Sequence, residues 1–139
     1  MVQALTVSLS FVLVAAIASF ILGSLWYSPL LFGKIWMKLG GFTEKNKDKS
    51  KKMLASYFFM FVGTLVTVYV LGNNLLYSGI SNTSTALIYA FFMWVGYIAP
   101  IQLGSVLWEG KPFRYYLINT FYYLVSLMIT SIIFVLWKF

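Results

Sequence analysis

Four long apolar runs without a charged side chain in their interiors constrain this chain more than any other feature. They cover roughly residues 4–26, 53–73, 86–107 and 115–137. About 20 mostly apolar residues wound as a helix cross a hydrocarbon core of about 30 Å. With 61% hydrophobic and 9% charged residues, the chain cannot build a polar coat over so much apolar surface; a soluble domain carries about 25% charged residues. The expected fold is an all-α membrane protein, with residues 1–139 forming a single domain of four transmembrane helices in a bundle. The first run reads as a span and not as a cleavable leader. It lacks a basic start, exceeds the usual apolar core of about 7–15 residues, and runs into Trp26, Tyr27 and Pro29 in place of small residues.

The cations set an expected orientation, because Lys and Arg in short loops are retained on the cytoplasmic side. Lys34, Lys38, Lys45, Lys47, Lys49, Lys51 and Lys52 lie in the first connection, and Lys111 and Arg114 in the third. Together these are nine of the ten basic side chains, whereas the second connection, residues 74–85, carries no charge. Both termini are therefore expected outside a cytoplasmic membrane, with the lysine-rich loop inside. Attraction of that loop to anionic lipid accounts for the basic balance of +7, so no nucleic-acid partner is expected.

The chain contains no His and no Cys. Disulfides, thiol nucleophiles, most zinc sites and the usual general base near neutral pH are thereby excluded. No metal site, cofactor or catalytic constellation is expected.

The first connection divides in two. Ser28 and Pro29 resemble an N-cap followed by proline at the first helical position. A short interfacial amphipathic helix is expected over residues 29–39, between the first and second spans. Leu31, Phe32, Ile35, Trp36 and Leu39 would face acyl chains, with Lys34 and Lys38 toward headgroups, and Gly40 and Gly41 would end it. Residues 43–52 are polar and fit either a loop or an extension of the second helix. In the third connection Gly110 and Pro112 mark a turn, and Glu109 is expected to pair with Lys111 or Arg114. Asn82, Thr83 and Ser84 match a glycosylation acceptor pattern, to which we attach no function.

Within lipid, helices associate through small residues and hydrogen bonds, since removing Leu from acyl chains gains little. Ser8, Ala15, Ser19 and Gly23 on the first helix, and Gly96, Pro100 and Gly104 on the third, are expected to meet. Pro100 should kink the third helix and leave Gln102 turned inward. On the fourth helix Tyr115, Asn119, Tyr122, Ser126 and Thr130 share an arc of about 80°. Such a polar stripe belongs in the bundle interior, in a cavity or against another subunit. The candidate ligand-binding set is therefore Gln102, Tyr115, Asn119, Tyr122 and Ser126, joined by Trp26, Glu109 and Arg114 near the cytoplasmic end.

The segment LGSLWYSPLLFGKIWMKLGG, the blocks MWVGYIAP and LWEGKPFRYYLIN, and the closing LW of the fourth helix resemble the domain of unknown function 1761 family (DUF1761). Its most specific residues here are Trp26, Tyr27, Ser28, Pro29, Phe32, Gly33 and Trp36. The resemblance implies a small four-helix bacterial membrane protein and assigns no activity.

Three functions are consistent with these features. The first is a non-catalytic bundle, expected to be a homo-oligomer, that binds membrane lipid or a small hydrophobic ligand between helices. The alternative is a subunit of a small oligomeric transporter or channel, although none of the three acids lies within a span to couple protons. The third is an enzyme that modifies lipid headgroups with Glu109, Lys111, Arg114 and nearby tyrosines.

Overall fold

The computed structural model describes residues 6–41 and 50–137, and its regular structure is helical throughout. In chain order the elements are α1 (Leu9–Trp26), α2 (Gly33–Gly40), α3 (Ser50–Tyr77), α4 (Thr83–Tyr97), α5 (Ala99–Gln102), α6 (Gly104–Leu107) and α7 (Phe113–Leu136). Four stretches are long and apolar enough to cross a membrane: Leu9–Trp26, Met53–Tyr77, Thr83–Leu107 and Phe113–Leu136. Many large apolar side chains point outward, as expected where acyl chains replace water as the solvent: Phe58, Phe59 and Phe92 are all exposed.

Local chemistry sets the helix ends. The Ser8 hydroxyl accepts from the Phe11 amide at 3.2 Å, so α1 begins at Leu9. Asn82, within the glycosylation-like pattern, caps α4 by accepting from the Thr85 amide at 2.8 Å. The second long helix reaches back to Ser50, so residues 50–52 extend it; residues 42–49, which hold the rest of the polar stretch, lie outside the described residues.

The interfacial helix is shorter than expected. Residues 29–32 form turns, and α2 starts at Gly33. Ser28 does not cap it; its hydroxyl donates to the Leu25 carbonyl at 2.6 Å. The reason is the sharp reversal after α1, in which the Phe32 amide donates to Trp26 O at 3.0 Å and the Gly33 amide to Ser28 O at 2.9 Å. A Cβ at Gly33 would stand 2.3 Å from the Tyr27 carbonyl oxygen, so the turn closes only around a residue without one. Gly41, with φ of 72°, ends α2 in the left-handed region.

The third span is broken, with α4, α5 and α6 in place of one helix. Pro100 has no N–H for the Gly96 carbonyl, and the chain tightens beyond it: the Leu103 amide turns to Pro100 O at 3.3 Å. This leaves the Ala99 carbonyl to accept from the Tyr116 hydroxyl at 2.8 Å.

The hub of the bundle is α7. It packs against α4, α1, α3 and α2, whereas α3 leans chiefly on α1 and α7. The small-residue face of α1 consequently meets α7 and α3, and not the third span as expected. Ala15 and Ser19 are fully buried, the Ser19 and Thr130 hydroxyls lie 3.5 Å apart, and the Tyr122 hydroxyl donates to Ser19 O at 3.2 Å. At Gly96 an added Cβ would meet nothing within 4 Å, so that glycine marks no close approach. Between long helices, the tightest approach at a described glycine lies at Gly72 on α3, where a Cβ would fall 2.7 Å from the fully buried Phe11 ring. Phe11 in turn meets Phe134 and Trp137 edge-on.

Candidate functional site

Because α3 and α4 both lean on α7, a groove is left between α3 and the broken third span, with α7 as its floor. Its volume is about 370 Å³, within the range of small-molecule sites, roughly 300–1,000 Å³. One wall comes from Met60, Thr64 and Thr67 of α3, and the other from Tyr97, Ile101 and Gln102. The floor is Tyr122, Ser126 and Thr130. Apolar side chains dominate the lining, and polar groups stand on both walls and on the floor.

Most of those polar groups are already bonded. Thr64 and Thr67 donate to Met60 O at 2.8 Å and Gly63 O at 3.1 Å, back along their own helix. Tyr122 and Thr130 are engaged with Ser19, as described above. Gln102 is different: its Oε1 is buried and has no hydrogen-bond partner. A buried acceptor left unmade costs about 1–3 kcal/mol.

A second cavity of about 230 Å³ adjoins the groove and shares Ile101 and Gln102 with it. Gly104, Ser105, Glu109, Tyr116 and Asn119 complete its lining. It opens toward the α6–α7 turn, where Gly110 takes a φ of 69°.

The other candidate residues build the platform around these spaces. Trp26 donates from Nε1 to the Ile118 carbonyl at 3.0 Å, and the Tyr27 hydroxyl donates to Asn119 Oδ1 at 2.7 Å. Burial, reinforced by the neighbouring Tyr123, Tyr122 and Tyr115, pushes the Tyr27 phenol far above its ordinary range, so it stays a donor. Trp36 stacks on Tyr115 at 5.9 Å and meets Tyr27 at 5.1 Å. Lys111 Nζ binds the Gly40 carbonyl at 2.7 Å, tying the end of α2 to the start of α7. Tyr115, Trp26 and Arg114 thus line neither cavity, while Gln102, Tyr122 and Ser126 line the groove, and Gln102, Glu109 and Asn119 the second cavity. The expected ion pair of Glu109 does not form among the described residues, because Lys111 turns to Gly40.

Thr64, Thr67, Tyr97, Tyr123 and Ser105 line the cavities and were absent from the sequence-derived set. Gly63, Thr64 and Thr67 do share one face of an otherwise apolar run, which is the signal that could have marked that wall.

No curated protein and no solved structure matches the chain. The sequence profile of the family described as "Protein of unknown function (DUF1761)" matches residues 10–135, which takes in the α1–α2 reversal, the broken third span and nearly all of α7. The chain is therefore a member of the DUF1761 family.

Proposed function

We propose that the protein is a non-catalytic membrane bundle that holds a lipid or small hydrophobic molecule in the groove between α3 and the broken third span. The observation that carries this reading is a mostly apolar groove of ligand size with Tyr122, Ser126 and Thr130 along its floor. Acyl chains entering sideways fill such a groove but satisfy no polar group, whereas an amphiphile with a donor does both. The reading includes a cytoplasmic-membrane location with the Lys111 and Arg114 end of the bundle inside, on the strength of the loop charges.

The test is native mass spectrometry of the full chain after gentle extraction, comparing wild type with Ser126→Trp, which fills the floor of the groove. The expected result is a co-purifying small molecule in the wild type that is lost from a folded Ser126→Trp variant. Bare wild-type protein, or equal occupancy in both, refutes the reading.

A small oligomeric transporter is the second reading, favoured by the way the two cavities adjoin at Gln102. Solute flux through proteoliposomes above the leak of empty vesicles would support it, and flux equal to that leak would remove it.

A further inference from the structure

The short helix α2 has two faces, and the bundle uses one of them. At about 100° per residue, Gly33, Trp36, Met37 and Gly40 fall within one arc of about 100°. The two glycines are buried and the other two residues half-buried. This face is fixed to α7 at two points: Trp36 stacks on Tyr115, and Lys111 Nζ holds the Gly40 carbonyl at 2.7 Å. The opposite arc carries Lys34, Ile35 and Lys38, and all three are exposed.

The charges on that outer face are uncompensated. Lys34 and Lys38 enter no hydrogen bond or ion pair among the described residues, and neither does the exposed Arg114, the residue before Tyr115. Glu109, the one acid among the described residues, lines the second cavity and pairs with none of them. Large apolar side chains stand at the same end of the bundle. Leu30 is 86% exposed and Leu31 51% in the turn that leads into α2, and Trp108 is exposed just before the start of α7. Nucleic acid would satisfy the cations and leave these apolar groups in water. The boundary of a bilayer satisfies both, because headgroup phosphates lie directly above acyl carbons there. The backbone that carries the two lysines is held by the reversal closed at Gly33 and by Lys111 at the other end, so lipid has only side chains to order when it binds.

We propose that α2 and the first turn of α7 form a docking surface for anionic phospholipid of the adjoining leaflet. Lys34, Lys38 and Arg114 hold the headgroup phosphates, while Leu30, Leu31 and Ile35 enter among the acyl chains. This surface is independent of the groove between α3 and the third span, and it differs from a general attraction of lipid to the net charge of the chain in belonging to particular residues.

The experiment titrates the full chain in non-ionic detergent micelles with dioctanoyl phosphatidylglycerol and dioctanoyl phosphatidylcholine, read by calorimetry. A basic side chain near an anionic surface is worth about fivefold in affinity, so wild type should prefer phosphatidylglycerol by about tenfold or more at low salt. The double variant Lys34→Gln/Lys38→Gln should lose most of that preference, with the near-ultraviolet signal of the Trp36–Tyr115 stack unchanged. Lys45→Gln/Lys47→Gln, which removes the same charge from the polar stretch after α2, should keep it. No preference in wild type, a preference that survives the α2 variant, or equal losses in the two double variants overturns the proposal, the last because it assigns the effect to net charge alone. Inorganic phosphate at the concentration of the lipid should not displace it; if it does, the surface is a site for a free anion and the leaflet is not its partner.

Discussion

Replacing Gln102 by leucine tests whether its side-chain amide is bonded in the native protein, because a bonded and an unbonded amide predict opposite signs. Gln102 Oε1 is buried without a partner, and none of the hydrogen bonds among the described residues engages its side-chain nitrogen. Leucine has a similar volume and no acceptor. Removing an unmade buried acceptor should return part of the roughly 1–3 kcal/mol that it costs, so the ligand-free Gln102→Leu protein should gain about 1–2 kcal/mol. For a chain of this size the gain corresponds to a rise in Tm of roughly 4–8 °C. Near-ultraviolet circular dichroism during heating in one detergent reads the effect. A fall in Tm of more than about 3 °C in the ligand-free variant would refute the reasoning, because it would mean that the amide is bonded in the native state.

Other substitutions test the frame around the site. Gly33→Ala places a Cβ 2.3 Å from backbone that is pinned by two turn hydrogen bonds, so it should cost about 3 kcal/mol or more and undock α2, seen as loss of Trp36–Tyr115 stacking in near-ultraviolet spectra. Gly72→Ala, against the fully buried Phe11, should destabilise by about 1–3 kcal/mol in thermal unfolding. Gly63→Ala meets nothing within 4 Å and should stabilise α3 by about 0.5–1 kcal/mol in the same assay. Tyr27→Phe leaves Asn119 Oδ1 without its donor and should cost about 1–2 kcal/mol; a double-mutant cycle with Asn119→Leu should show coupling of about 1 kcal/mol, and additive losses would count against the bond. Because the chain has no cysteine, a single Ser81→Cys probe should react with a membrane-impermeant maleimide in intact cells, and a Lys111→Cys probe should not.

Much of the architecture was written in the pattern of apolar residues, because lipid solvation imposes one requirement on every span: each backbone polar group must be satisfied locally, which long uncharged helices do. The break at Pro100 and the inward face of α7 follow from equally local facts, a missing N–H and a run of polar side chains that hydrocarbon would not solvate. The partner of the α1 face was not legible in the same way. Ser19 and Gly23 could pack against any close helix, and which one they meet depended on α7 taking the centre of the bundle. The ring partners of Trp36 were not legible for a similar reason. An aromatic beside Lys34 and Lys38 looks alike whether it faces lipid or a neighbouring ring, and only the reversal closed at Gly33 turns it onto Tyr115.

The division between the two levels follows the range of the forces involved. Spans, caps, the proline break and the polar stripe are set by neighbours within a turn or two of helix, so the order of residues determines them. The groove and the unpartnered Gln102 oxygen exist because elements distant in the chain pack where they do. Lys111 is drawn to Gly40 across the bundle end, and α3 and α4 lean on α7 and leave space between them. Packing of that kind depends on the shapes of whole helices, and no local pattern of residues records it.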